Sequence, residues 1–280
     1  MTTLTNTAAA PERSVTSIPA LTHVEAGSLS QTEYERTLAV LLQLAGDDWA
    51  QPTYCTAWTV RDMVAHLAGA VTGSTSIGEF VRQNMTNPYL KEVTDPVDGI
   101  NRLQLEERAG KSNDELVGEF RTNGQIAVRN RQKLPWAVRQ LRAPMGPALG
   151  LTPLEYLLDI LYPRDQWMHR YDICAATGKK MVVTPEHDGR LTALVVRDIG
   201  RKLKGKIGQR SLALRLTGAV GGEYVFGQAS EPTAILQMDV YDFHLRASGR
   251  ITAEEATARS VFVGERTVAD WFLQHMEVVY

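Results

Sequence analysis

Asp165 and His169 stand four residues apart in a stretch whose apolar positions recur at helical spacing. Leu158, Leu161, Tyr162, Asp165, Met168, His169 and Asp172 follow the i, i+3, i+4 rule and so share one face of a helix. Four residues amount to about 40° of rotation, so the carboxylate and the imidazole can both reach one ion. The face begins as an ordinary core stripe. A lone carboxylate buried there is costly unless it is paired or bound to metal. Pro163, two residues earlier, should bend the helix and free backbone carbonyls. His66 is the natural third ligand, lying between Met63 and Ala70 on the flank of a second apolar stripe. Two imidazoles and one carboxylate leave open positions for water or substrate, as in catalytic zinc sites. The same residue types also fit a satisfied core histidine at 66 and a plain hydrogen bond between 165 and 169. Spacing alone does not choose.

These residues need helices to position them. Ser30 is placed to cap a first helix carrying Tyr34, Leu38, Leu41, Leu42 and Leu44 and ending near Gly46. Thr59 caps a second, with Val60, Met63, Val64 and Leu67 at helical spacing and Asp62 as the acidic half of a capping box. After a polar stretch with Pro88 and Pro96, and a short segment from Ile100 to Arg108, a third helix starts near Asn113. Residues 135–150 read as a loop, and Thr152-Pro153 opens the fourth helix. Four helices over about 150 residues suggest a bundle. After Gly178 the pattern changes to a helix over 185–205, strands around 212–216, 224–226 and 234–238, and helices over 239–247 and 264–277. The expected fold class is α+β: a flexible arm at 1–28, a four-helix bundle at 29–178 and a smaller α+β domain at 179–280.

Composition narrows the partners. Across 280 residues, 44% are apolar and 22% charged, ordinary for a folded protein of about two domains. Thirty basic against 32 acidic residues argue against a nucleic-acid binder, which grips phosphates with clustered Lys and Arg. They argue equally against a polybasic membrane-surface protein. No signal-peptide pattern or membrane-length apolar run is present, and Cys55 and Cys174 are too few for a disulfide scaffold. A cytoplasmic protein is expected. Gly218 to Gly222 lacks the context of a dinucleotide fingerprint.

The stretch from Asp48 to Leu67 (DWAQPTYCTAWTVRDMVAHL) and that from Arg164 to Ile173 (RDQWMHRYDI) resemble the two signature blocks of the mycothiol-dependent maleylpyruvate isomerase family. That family belongs to the DinB/YfiT-like metal-binding bundles. The resemblance covers residues 30–178, and the remainder is similar to the family's smaller, sterol-carrier-like C-terminal domain. It implies a divalent metal, with zinc expected, on His66, Asp165 and His169. The family often has glutamate where this chain has the shorter Asp165. It also implies mycothiol or a similar small thiol as cosubstrate.

On that reading a metal-activated thiol attacks an electrophilic carbon of a small, unsaturated substrate. Elimination after bond rotation gives isomerisation; release of the adduct gives S-transfer. Arg102 and Arg250 are the expected catalytic contacts to an anionic substrate, with Arg164 and Arg170 as further candidates. Cys174, about 140° around the helix from His169, and Cys55 are expected to be packing residues. A monomer or homodimer is expected. Two other functions remain open: a thiol-independent metal hydrolase, and a non-catalytic protein that binds a small molecule or lipid.

Overall fold

The computed structural model describes residues 13–227 and 231–280. Two compact units divide them. One is Leu21–Val182 with Val279–Tyr280, and the other is the described residues up to Ala20 with Val183–Val278. The chain enters the second unit with a short strand, β1 (Arg13–Ser14), before crossing into the first.

The first unit is helical. It contains α1 (His23–Leu41), α2 (Val60–Thr72), α3 (Ile77–Asn84), α4 (Pro96–Glu106), α5 (Asn113–Gln132) and a single turn, α6 (Trp136–Arg139). A small antiparallel hairpin follows, β2 (Arg142–Pro144) with β3 (Leu151–Pro153), around α7 (Gly146–Leu149). A π-helical stretch, Tyr156–Leu161, then runs into α8 (Tyr162–Thr177). The long helices close a bundle in which α1 and α2 each pack on both α5 and α8. Its core holds Leu41, Met63, Leu67, Leu116, Phe120 and Ile173, all 1% exposed or less. Close approach of α1 to α5 depends on Gly124, where an added Cβ would stand 2.4 Å from the Tyr34 ring. α8 stops at Gly178, whose left-handed φ of +67° suits the residue after a helix.

Several expectations are corrected. α1 begins at His23, because Thr22 and Glu25 form a capping box there (Glu25 N donates to Thr22 Oγ1 at 3.2 Å). Ser30 is buried inside α1 rather than capping it, and the described part of the expected arm, 13–28, is strand, 3₁₀ turn and helix. Residues 1–12 of that arm lie outside the described residues. The helix also ends at Leu41, short of Gly46. The connection after α2 folds into α3 and α4, each started by a side-chain cap, Ser76 and Asp95. Thr152-Pro153 belongs to β3, and the 135–150 loop contributes that strand's partner.

The second unit is a five-stranded sheet of order β1-β5-β4-β6-β7, with β4 (Ser211–Thr217), β5 (Gly222–Gly227), β6 (Ala234–Asp239) and β7 (Val261–Gly264). β4 runs antiparallel to β5 and parallel to β6, with Leu214 opposite Tyr224 on one side and Leu236 on the other. The alternation read in β4 is there, yet Ala213 is as buried as Leu212 and Leu214, since this strand is central. Helices α9 (Arg190–Leu203), α10 (Val240–Ala247), α11 (Ala253–Ala258) and α12 (Arg266–His275) complete the unit. Phe226 meets Phe272 edge-to-face at 4.8 Å. β7 and α11 escaped the sequence reading: Val261 and Val263 are exposed on an edge strand, so no buried periodicity marks them. The fold is α+β, as expected.

Candidate metal centre

Two local devices bring the site residues into register. Thr59 caps α2 as expected: its N–H donates to Asp62 Oδ2 at 2.9 Å, and Asp62 N–H donates back to Thr59 Oγ1 at 3.3 Å. That fixes the start of the helix two turns before His66. The preceding loop is pinned by the Pro52–Thr59 bridge and by Val60 N–H donating to Gln51 O at 2.9 Å. On the other side, the π-helical stretch ends where Pro163 lacks an N–H to continue an α ladder. The wider turns change the phase of the helix, so the Leu158–Leu161 stripe does not run unchanged into the Asp165–His169 pair.

His66, Asp165 and His169 converge. One Asp165 oxygen lies 3.4 Å from His66 Nε2 and the other 3.1 Å from His169 Nε2. Donor atoms of all three lie within 4.8 Å of one another. Tetrahedral zinc with arms of about 2.0–2.1 Å separates its ligand atoms by about 3.3 Å, so the two contacts fit a shared ion. The shorter aspartate reaches both rings. Both histidines are buried, and the Asp165 side chain is 25% exposed. His169 Nδ1 stands 3.2 Å from Asp172 Oδ2, and Asp172 is fully buried. A carboxylate behind a ligating imidazole sets its tautomer and raises its basicity. The nitrogen donors, the carboxylate and this backing group fit a divalent metal.

The electrostatics couple the three groups. Burial pushes the Asp165 carboxyl up, but His169 and then His66 outweigh it and hold it well below the usual carboxylate range. Burial pushes the His169 imidazole down, yet Asp165, and Asp172 behind it, raise it to about 9.

Three neighbours were not assigned from the sequence. Trp58 packs on both rings, at 5.1 Å from His66 and 5.9 Å from His169. Cys55, His169 and Asp172 form a second cluster of potential ligands among the described residues, which spacing could not show because Cys55 arrives from a loop. Asp172 shares the helix face of Asp165 and His169, and its spacing of three residues from His169 is the signal the sequence carries. Cys174 is buried, and burial pushes its thiol up to about 11.

The arginines separate. Arg102 sits exposed on α4, pairs with Glu92 and Glu106 at 2.7 Å each and covers the Tyr89 ring. Arg170 is a correction: it is fully buried and holds both oxygens of Glu33, at 2.6 and 3.0 Å, so it ties α8 to α1. Arg164 is also buried and donates to Val279 O at 2.8 Å. Arg250 lies in the sheet unit, lining a cavity with Arg246, Thr252 and Glu277.

Residues 31–174 match the family model described as the mycothiol maleylpyruvate isomerase N-terminal domain. A crystal structure of a mycothiol-dependent maleylpyruvate isomerase carrying a histidine-to-alanine substitution is similar in fold, with a TM-score of 0.57, 14% identity and coverage of 88% of this chain and 95% of that one. A crystal structure of a mycothiol-dependent maleylpyruvate isomerase without the substitution gives 0.56, 13%, 88% and 95%. A search of curated protein sequences gives no match. Among the described residues no helix is long and apolar enough to cross a membrane.

Proposed function

The chain belongs to the mycothiol maleylpyruvate isomerase family, and from that premise we propose that it is a metal- and thiol-dependent isomerase or S-transferase for a small unsaturated or otherwise electrophilic substrate. The observation that carries this reading is the convergence of His66, Asp165 and His169 with Asp172 behind them. A divalent cation held by these three, with zinc expected, would lower the pKa of a small thiol bound beside it and give a thiolate near neutral pH. Mycothiol is the proposed thiol.

The protein's own groups do the positioning. Asp172 accepts the His169 Nδ1 proton and so turns Nε2 toward Asp165. Asp165 brings negative charge between the two imidazoles, and Trp58 covers both rings and keeps water from them. In the proposed reaction the thiolate sulfur adds to one carbon of an activated double bond. The former double bond rotates as a single bond, the C–S bond breaks, and the thiolate leaves. Nothing is gained or lost, and the product is the geometric isomer. If the adduct instead takes a proton and departs, the result is S-transfer. Arg102 remains a proposed contact for a substrate carboxylate, although it would first have to leave Glu92 and Glu106; Arg250 lies in the other unit.

Elemental analysis of the purified protein, with turnover of maleylpyruvate measured with and without mycothiol, tests the proposal. About one divalent metal per chain and thiol-dependent isomerisation are expected, with both lost in His66→Ala. Protein without bound metal, or with metal content unchanged in His66→Ala, would overturn it. Metal-dependent turnover that ignores the thiol would favour a hydrolase.

A further inference from the structure

Arg131, in the last turn of α5, is 7% exposed, and its Nε is sealed from water with no hydrogen-bond partner. The guanidinium lies over the Tyr162 ring, 5.1 Å from its centroid. Asp159, the carboxylate that acts on Arg131 electrostatically, is already engaged: His23 Nδ1 is 2.8 Å from Asp159 Oδ2, and Arg139 is 3.6 Å from the same oxygen. A buried cation without a hydrogen-bonded counter-ion is expensive, and burial pushes the Arg131 guanidinium down, outweighing the opposing influence of Tyr162 and Asp159. Every other buried arginine of this unit has a hydrogen-bond or ion-pair partner among the described residues: Arg108 has Glu119, Arg139 has Glu155, Arg164 has Val279 O and Arg170 has Glu33. Arg131 differs from all of them.

Its position gives the reason. Tyr162 opens α8 three residues before Asp165, so the two share a helix face one turn apart, and both are only partly covered. The Tyr162 phenol is raised by burial, lowered by Arg131 and raised by Asp165, so both charges act on the same ring. The buried guanidinium therefore packs on a ring one helical turn from Asp165 along α8.

We propose that Arg131 is a substrate-binding residue, which receives one carboxylate of an anionic substrate whose reacting end lies at His66, Asp165 and His169. This rests on the proposed metal centre. A planar guanidinium presents paired donors that match a carboxylate, and the arriving anion supplies the hydrogen-bonded partner that the Nε lacks.

Calorimetric titration of the zinc-loaded protein with maleate, and with its neutral dimethyl ester, tests the assignment. Arg131→Gln should weaken maleate binding about tenfold to hundredfold, the worth of a charge-assisted hydrogen bond in a buried site. Ester binding and zinc content should stay unchanged. Arg131→Lys should recover part of the maleate affinity. The inference is overturned if wild type prefers the ester or fails to bind maleate, or if Arg131→Gln binds maleate as wild type does. Should Arg131→Gln unfold, the same preference measured in Arg131→Lys decides, since a purely structural arginine would leave the maleate-to-ester ratio unmoved. Absence of zinc from the wild type would instead fail the metal centre, a result read separately.

Discussion

Metal uptake by this protein should be coupled to the release of one proton from His169. In the metal-free trio that imidazole is raised to about 9, because Asp165 and Asp172 together outweigh the effect of burial. A ligating imidazole must be neutral. At pH 7 only about one molecule in a hundred has His169 neutral, so apparent metal affinity should be about a hundredfold weaker than the plateau well above pH 9, or about 2.7 kcal/mol at 1.36 kcal/mol per unit. Asp165 adds no proton, since it is held far below its usual range. The sign is fixed: affinity rises with pH until about 9 and then levels off. Titrating zinc into metal-free protein in two buffers of different ionisation enthalpy counts the protons. About one per zinc is expected at pH 7, falling toward none above pH 9. Asp172→Asn removes one of the two carboxylates, so the midpoint should move down, and zinc should bind about tenfold to hundredfold more weakly at high pH. No proton release at pH 7, or an affinity indifferent to pH between 7 and 9, would refute the reasoning. The same raised imidazole stabilises the metal-free fold fully below about pH 6.5, the unfolded value, and that contribution fades as pH rises through about 9.

Three further outcomes follow from packing. Gly124→Ala should destabilise by about 1–3 kcal/mol in denaturant unfolding, since the Tyr34 ring 2.4 Å from the new Cβ outweighs the gain in helix propensity; a neutral or stabilising effect would contradict the close approach of α1 and α5. Thr59→Ala should cost about 1 kcal/mol by removing the α2 cap and should also reduce zinc occupancy, read by elemental analysis, because the turn leading to His66 loosens. At pH 8 a maleimide should label the half-buried Cys55 well before Cys174, which is buried with its thiol pushed up to about 11; equal labelling of both in folded protein, followed by peptide mass spectrometry, would count against the packing around α8.

Much of the bundle was legible because its determinants are local. Thr59 with Asp62, and the start of the third long helix at Asn113, follow from caps and apolar spacing, and the structure has both. Thr22 with Glu25 was just as local a signal, but it precedes the apolar stripe, and Val24 in the first turn is exposed. An edge strand such as β7 pairs on one side and exposes Val261 and Val263, so its sequence carries no inward face to read.

The site divides along the same line. The sequence alone determined that Asp165, His169 and Asp172 lie on one side of one helix, because helical geometry carries residues three and four apart to the same face. It also determined that His66 lies near the inward side of another. Only the tertiary structure decided that these two faces meet with 3.1 and 3.4 Å between ligand atoms. Tertiary structure also set Arg170 against Glu33 and left the Arg131 Nε buried without a hydrogen-bond partner. Both are arginines on helices, and nothing near them in sequence distinguishes them. What separates them is whether a carboxylate from a distant part of the chain arrives within hydrogen-bonding distance, and that depends on how the helices pack.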